Sequence, residues 1–336
     1  MTSYAVLRRR LRARAAGVTA ALAALVLALF VVTLSVGSYR VPLDDVVVSV
    51  LHLGENPAVD FVVNGLRMPT ALAAVFAGLA LGLAGTIFQQ LLGNPLASPD
   101  FVGVSEGAGL AAVAGLTVFH VSGAPISLLA FGGAMTSAAL IYLLAWKDGI
   151  TGYRFILIGI GVSAFFVALT GWVVARSEDW EARSAMTWLT GSVGQAGHGE
   201  IRALVVTVLL AIPAAVVLRR QLGVLALGDD AARALGARLE LARLVLLGLA
   251  ILLVAVATAA VGPVMFVALV AGPIAARLLG PAPGLLAAGL AGAVVMLTAD
   301  LIAQHLLPAS LPTGVVTGAV GAPYLVWLLA TSNRKS

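Results

Sequence analysis

The chain has 336 residues, of which 61% are hydrophobic and 10% charged, whereas a soluble domain carries about 45–50% apolar and about 25% charged residues. At a mean hydropathy of +1.06, polar surface is too scarce to coat a water-soluble globule, so a pair of soluble domains is excluded and the chain reads as an integral membrane protein. The formal net charge of +5 comes mostly from arginines spread along the chain rather than gathered in a patch, which speaks against a nucleic-acid partner, and the absence of cysteine removes disulfides, thiol catalysis and thiolate metal sites.

In chain order, residues 1–14 form a leader carrying Arg8, Arg9, Arg10, Arg12 and Arg14. The apolar run that follows, 15–37, outlasts a signal-peptide core and ends in Gly37-Ser38-Tyr39-Arg40, a poor cleavage site, so it reads as a retained helix. A membrane span needs about 20 mostly apolar residues. Further candidates stand at 69–92, 103–120, 124–146, 155–175, 201–218, 244–261, 264–279, 285–303 and 313–330, making ten in all. Runs of this length are too long for barrel strands, so the fold class is an all-α integral membrane bundle. The domain reading is one ten-helix unit over 15–330, with a tail at 331–336.

Lys and Arg set the orientation. With the N-terminus inside, cytoplasmic segments hold fifteen basic residues and outer segments five (Arg40, Arg67, Arg176, Arg183 and Arg202), so both termini are expected in the cytoplasm. Residues 38–68 and 176–200 then lie outside, the first with Asp44, Asp45, Glu55 and Asp60, the second with Trp180 and Trp188. Residues 219–243 lie inside and read as short amphipathic helices.

Ionisable residues are nearly absent from the spans. Glu106 stands near the start of the third and Asp300 near the end of the ninth, positions where a charge escapes the cost of about 2.5–3.5 kcal/mol at mid-helix. Glu106 also meets the positive end of its helix dipole. The four histidines, His52, His120, His198 and His305, show no metal-ligand spacing and fall at loops or span ends. Neither a catalytic constellation nor a Walker loop is present, so the chain reads as a non-enzyme that holds no cofactor. Gly78 with Gly82, Gly103 with Gly107, and Gly314 with Gly318 form GxxxG steps, which permit close helix packing within the subunit.

In the inner segment Asp229 and Asp230 can start a helix with Ala232, Leu235 and Leu239 along one side, and Gly236 can break it in two. An apolar face on the cytoplasmic side wants either a protein partner or the membrane surface.

Several stretches together carry a family resemblance. Leu66-Arg67-Met68-Pro69, Gly78 through Gly85, and Gln89-Gln90-Leu91-Leu92-Gly93-Asn94-Pro95-Leu96-Ala97-Ser98-Pro99 through Ser105 come first; Trp188 through Ser192, Leu227-Gly228-Asp229-Asp230, Ala299-Asp300, and Leu311-Pro312-Thr313-Gly314 with Gly321-Ala322-Pro323 follow in order. The chain resembles the FecCD permeases, the membrane subunits of ABC importers for iron-siderophores, haem and vitamin B12. Within that family, Leu144-Ala145-Trp146-Lys147-Asp148-Gly149-Ile150, Ile158 through Val162 and Asp300 through Gln304 are most similar to the second permease subunit of ferric-enterobactin (catecholate) systems.

The resemblance implies a type II importer permease of vitamin B12 importer type in the bacterial cytoplasmic membrane. It implies as partners a homologous second permease, a cytoplasmic ATPase dimer holding ATP and Mg, and a siderophore-binding lipoprotein or periplasmic protein. The segment holding Leu227, Gly228, Asp229, Asp230, Arg233, Leu235 and Gly236 matches the coupling helices, which favours an ATPase as the partner of that face. Arg67 matches an outer Arg that meets an acidic residue of the binding protein. Lys147, Asp148, Gly149 and Gly152, in a short inner turn, are gate candidates, and Glu106 and Asn94 are candidates for the path or its mouth. Thr70 and Gln304 stand where many members carry Arg, Gly272-Pro273-Ile274-Ala275-Ala276-Arg277 lacks a His common there, and Glu106 replaces a small polar residue. Ferric siderophore is the expected cargo, with cobalamin or haem as alternatives; the readings from other classes are an intramembrane enzyme or passive channel, which would demand buried ionisable residues or a charged ring that the spans lack, and a membrane scaffold without transport.

Overall fold

The computed structural model describes residues 2–53, 56–146, 152–225, 228–235, 238–280 and 284–332. Its regular secondary structure among these residues is all helical. The helices are α1 (Thr2–Ser35), α2 (Leu43–Val50), α3 (Pro57–Asp60), α4 (Met68–Leu92), α5 (Val104–Thr117), α6 (Ala124–Ala145) and α7 (Gly152–Val174), then α8 (Asp179–Thr190), α9 (His198–Leu225), α10 (Asp229–Ala234), α11 (Leu239–Val261), α12 (Val267–Leu279), α13 (Leu285–Leu301) and α14 (Thr313–Ser332). A π-helical turn, Phe61–Arg67, joins α3 to α4 without a break.

Each of the ten apolar segments is covered by a helix. Among the described residues seven helical stretches are long and apolar enough to cross a membrane: Arg9–Ser35, Pro57–Leu92, Ala124–Ala145, Tyr153–Val174, His198–Leu225, Leu239–Val261 and Leu285–Leu306. The apolar helices α5 and α12 are shorter, with 14 and 13 residues. At 1.5 Å per residue each rises only about 20 Å, and irregular backbone precedes each one. Pro99–Val102 forms a 3-10 turn ahead of α5, and Gly262 through Phe266 an open loop ahead of α12.

Helix α4 is the axis of the bundle. Its apolar residues run all the way round, as in a helix buried on every side, and almost every residue from Ala77 to Gln89 is buried. Ala and Gly dominate it, so neighbouring backbones come close. A Cβ added at Gly78 would lie 2.5 Å from Gly292 O and from the Ala293 Cα of α13, and one at Gly107 would lie 2.7 Å from Gly133 O of α6. These GxxxG steps therefore serve packing inside the chain. Helices α11, α12 and α13 lean on α4, α5 and α6 pair beside them, and α1 lies along α13. By contrast α1 and α7 are mostly exposed.

Three local departures from the sequence reading follow from short-range chemistry. The outer stretch 176–200 contains α8, started by a capping box in which the Glu178 side chain accepts from the Glu181 backbone while Glu181 Oε2 accepts from the Glu178 N–H at 3.2 Å. The outer stretch 38–68 folds into α2, α3 and the π turn, tied by Ser49 Oγ donating to Asp60 Oδ1 and Asn64 Nδ2 donating to Ser49 O. In the inner stretch 219–243, α9 continues to Leu225 and the one short helix among the described residues is α10.

Candidate functional site

Residues 93–103 do not stay at the end of the bundle where α4 stops. Gly93 ends α4 in the left-handed conformation, φ 60°, and Asn94 Oδ1 accepts the Leu96 N–H at 2.9 Å, turning the chain back into the bundle. Ser98 then caps the 3-10 turn with Pro99 at its first position, and Gly103, φ 90°, opens α5. Gly103 packs against Gly159 and Ser163, midway along α7, where a Cβ would lie 3.2 Å from Ser163 N.

Glu106 is therefore set level with the middle of α7, because the re-entrant turn lifts the start of α5 into the bundle. It lines a cavity of about 320 Å³ whose other walls are Asp100, Thr170 and Val174 of α7, Met186 and Leu189 of α8, and Pro263 through Met265. One carboxylate oxygen of Glu106 is buried without a hydrogen-bond partner, while Ser163 hydrogen-bonds to the side chain. Asp100 is buried, accepting from Ser98 Oγ at 3.1 Å and from the Phe266 backbone. Asp100 was not singled out in the sequence; the signal was Ser98-Pro99-Asp100, a capped turn placing a carboxylate in an otherwise apolar run.

The lid of this cavity is α8, held by a side-chain contact to the α5–α6 connection. His120, at φ 51° in the α5–α6 connection, places Nδ1 2.9 Å from Glu181 Oε1, and Glu181 is buried. Below, Gly191 and Gly262 pack backbone to backbone, where a Cβ on Gly262 would lie 2.7 Å from Trp188 O. Gln89, also passed over in the sequence, donates from Nε2 to Leu269 O at 2.9 Å and ties α4 to α12. Asp300 accepts from Thr313 Oγ1 at 3.0 Å, tying α13 to the start of α14.

Arg67 sits at the C-terminal end of α1. Nη1 donates to Leu34 O at 2.7 Å and Ser35 O at 3.1 Å, and Nη2 donates to Tyr39 O. Leu34 and Ser35 belong to the last turn of α1, whose carbonyls lack intrahelical donors, so the guanidinium caps α1, ties in the loop at Tyr39 and still has donors left over. Asn94 is exposed just past the other end of α4, beside Gly272 and Pro273 of α12.

Between α9 and α11, Gly228, φ 91°, opens α10, whose Asp230 and Arg233 form an exposed pair at 3.9 Å. Ala232 and Leu239 are buried, but Leu235 is 64% exposed. The three do not share a face, because α10 ends at Ala234 and Leu235 points away as its C-cap. Leu227, Gly236, Lys147, Asp148 and Gly149 lie outside the described residues; Gly152 is the first residue of α7.

An all-helical bundle with a re-entrant turn and a short helical knob at α10 has close relatives. The profile of the FecCD transport family matches residues 25–331. The chain belongs to the FecCD transport family. Among its relatives, the ferric enterobactin transport system permease protein FepG of Escherichia coli (strain K12) is 40% identical over 286 residues, covering 84% of this chain and 87% of that protein. The achromobactin transport system permease protein CbrC of Dickeya dadantii (strain 3937) is 39% identical, covering 91% and 88%. The Fe(3+)-citrate import system permease protein YfmE of Bacillus subtilis (strain 168) is 34% identical, covering 94% and 95%. A solved metal-chelate type ABC transporter in an inward-facing conformation superposes with a TM-score of 0.82 at 25% identity, covering 94% of this chain and 99% of that one. This FecCD member is thus an integral membrane protein with an importer-permease fold.

Proposed function

We propose that this chain is one permease subunit of an ABC importer that carries a ferric siderophore of catecholate type across the bacterial cytoplasmic membrane. The observation that carries the reading is the end-to-end similarity to the ferric enterobactin permease, 40% identity over 84% of this chain. All ten apolar helices cross the membrane in the type II arrangement, α5 and α12 completing their crossings through the irregular turns before them, with both termini in the cytoplasm. The subunit pairs with a homologous permease through the exposed faces of α7 and α14. ATP and Mg belong to a separate ATPase dimer, and this chain performs no hydrolysis.

The geometry supports a mechanism of alternating access. Leu235 and the Asp230–Arg233 pair project from the inner surface between α9 and α11, a shape suited to a socket on the ATPase. A push there is transmitted through α11 to Gly262–Phe266, which forms one wall of the cavity beside Glu106. The cavity, walled by α7 and lidded by α8, is this subunit's share of the path, and its acids meet the cargo. Above, Arg67 is pre-oriented by three carbonyls to receive an acidic side chain of the substrate-binding protein. The inner turn 147–152 gates the exit.

Uptake of radio-iron presented as a catecholate siderophore tests the reading in iron-starved cells with and without this chain. Loss that only the intact gene restores supports it. Unchanged catecholate uptake, with the protein confirmed in the membrane, refutes the catecholate assignment; the same cells given hydroxamate, citrate, cobalamin or haem then identify the cargo.

A further inference from the structure

On the side of the bundle away from α14, α6 and α9 both lean on α11 but barely touch one another. Two cavities meet in the gap. The upper one, about 560 Å³, lies under the α8 lid and is lined by Arg183, Ser184 and Thr187 of α8, Gln195, and Glu200 of α9. The lower one, about 360 Å³, is an apolar slot between Leu128 and Phe131 of α6, Ala203 of α9 and Val256 of α11. They share Ala124, Ser127, Glu200, Ala259 and Ala260 as walls, so they adjoin, the upper one bearing the polar and charged side chains and the lower one apolar.

The depth fits one membrane leaflet. From Ala124, the first residue of α6, to Phe131 the helix descends about 10 Å, against a leaflet hydrocarbon depth of about 15 Å. The slot opens beside Leu128, which is 73% exposed, on the outer half of the chain.

The polar chamber carries both signs of charge without neutralising them. Arg183 and Glu200 line it together, yet they form no ion pair with one another among the described residues. The Glu200 carboxylate is folded over Gly197, where a Cβ would lie 2.5 Å from Oε2. Gln195 donates from Nε2 to Thr187 O at 2.9 Å, which leaves its amide oxygen as an acceptor. A cation set apart from an anion, with hydroxyl and amide acceptors between them, is complementary to a zwitterion. We propose that this space binds one phospholipid of the outer leaflet with a primary-ammonium headgroup, its phosphate on Arg183, its ammonium on Glu200 and Gln195, and the start of an acyl chain in the slot between α6 and α9. A primary ammonium donates three hydrogen bonds to such acceptors, and a quaternary choline group donates none. The bound lipid would brace α8 from behind, on the face opposite the path cavity.

The test is native mass spectrometry of the delipidated full chain in detergent, titrated with dioleoyl phosphatidylethanolamine, phosphatidylcholine and phosphatidylglycerol. One phosphatidylethanolamine per chain is expected, held at least tenfold more tightly than the other two. Arg183→Gln, on an exposed side chain, and Ala203→Trp, which fills the slot from its open side, should each weaken that binding at least tenfold. Glu200→Gln should abolish the preference for ethanolamine over choline. Equal retention of all three lipids, or variants that bind like the wild type, overturns the proposal. So does Arg183→Gln weakening the substrate-binding protein while lipid retention stays unchanged, because the chamber is then a protein-docking surface.

Discussion

Replacing Gly78 by Ala probes the close approach on which the bundle depends. The added Cβ would lie 2.5 Å from the Ala293 Cα and Gly292 O of α13, about 1 Å inside the optimal carbon separation. Both obstacles are backbone, so α4 and α13 must separate. Opening their seam by 0.5–1 Å forfeits a quarter to a half of each dispersion contact, worth about 0.1–0.2 kcal/mol apiece; over on the order of 40 atom pairs this costs about 1.5–3 kcal/mol, matching the range for overpacked cores. Ala also favours the helix over Gly by up to about 1 kcal/mol. Gly248→Ala in α11 supplies the control, because nothing lies within 4 Å of a Cβ there and the helix gain arrives without the clash. The two variants should therefore differ by the packing cost alone, or roughly 3–12 °C in melting temperature at about 2–4 °C per kcal/mol. Thermal melts of the purified chain in one detergent read the difference. Equal melting temperatures would refute backbone contact between α4 and α13.

Other outcomes follow from the same geometry. Leu235→Lys, at a side chain 64% exposed, should lower uptake at least tenfold and uncouple ATP hydrolysis while leaving the amount of protein in the membrane unchanged; normal uptake would remove α10 from the coupling role. Arg67→Ala removes the guanidinium from Leu34 O and Ser35 O at the end of α1 and from Tyr39 O in the loop beyond, so it should destabilise the chain by about 1–3 kcal/mol and also weaken docking of the binding protein in a direct binding assay. Gly171→Trp enters the cavity beside Glu106 from a position with no atom within 4 Å, so it should abolish uptake without lowering the melting temperature; full uptake would exclude the cavity from the path. Thr313→Val leaves the buried Asp300 carboxylate without its hydroxyl donor and should cost about 1–3 kcal/mol, whereas Thr313→Ser should stay near wild type in the same melt.

Membrane residence and the helical class were legible in the sequence, because a bilayer demands long apolar runs whose backbone groups are satisfied internally; among the described residues seven of those runs form helices long and apolar enough to cross. The family motifs were equally legible, and so was the Asp229-Asp230 start of the inner helix. Tertiary structure decided what lies between the runs. The hydropathy pattern places Glu106 near the end of a span, yet the turn at Gly93–Gly103 carries it to the middle of α7, because depth is set by where the chain re-enters and not by its position along the sequence. Periodicity puts Leu235 beside Ala232 and Leu239, but α10 stops one residue too soon for the period to hold. The charges of the outer loops looked alike in the sequence. Only the fold distinguishes Glu181, buried against His120, from Arg183 two residues on, which lines an open chamber with Glu200 from a different helix. Local sequence fixes which segments are helices because their hydrogen bonds are local; which side chains share a cavity depends on contacts between distant helices, and that information exists only once they pack.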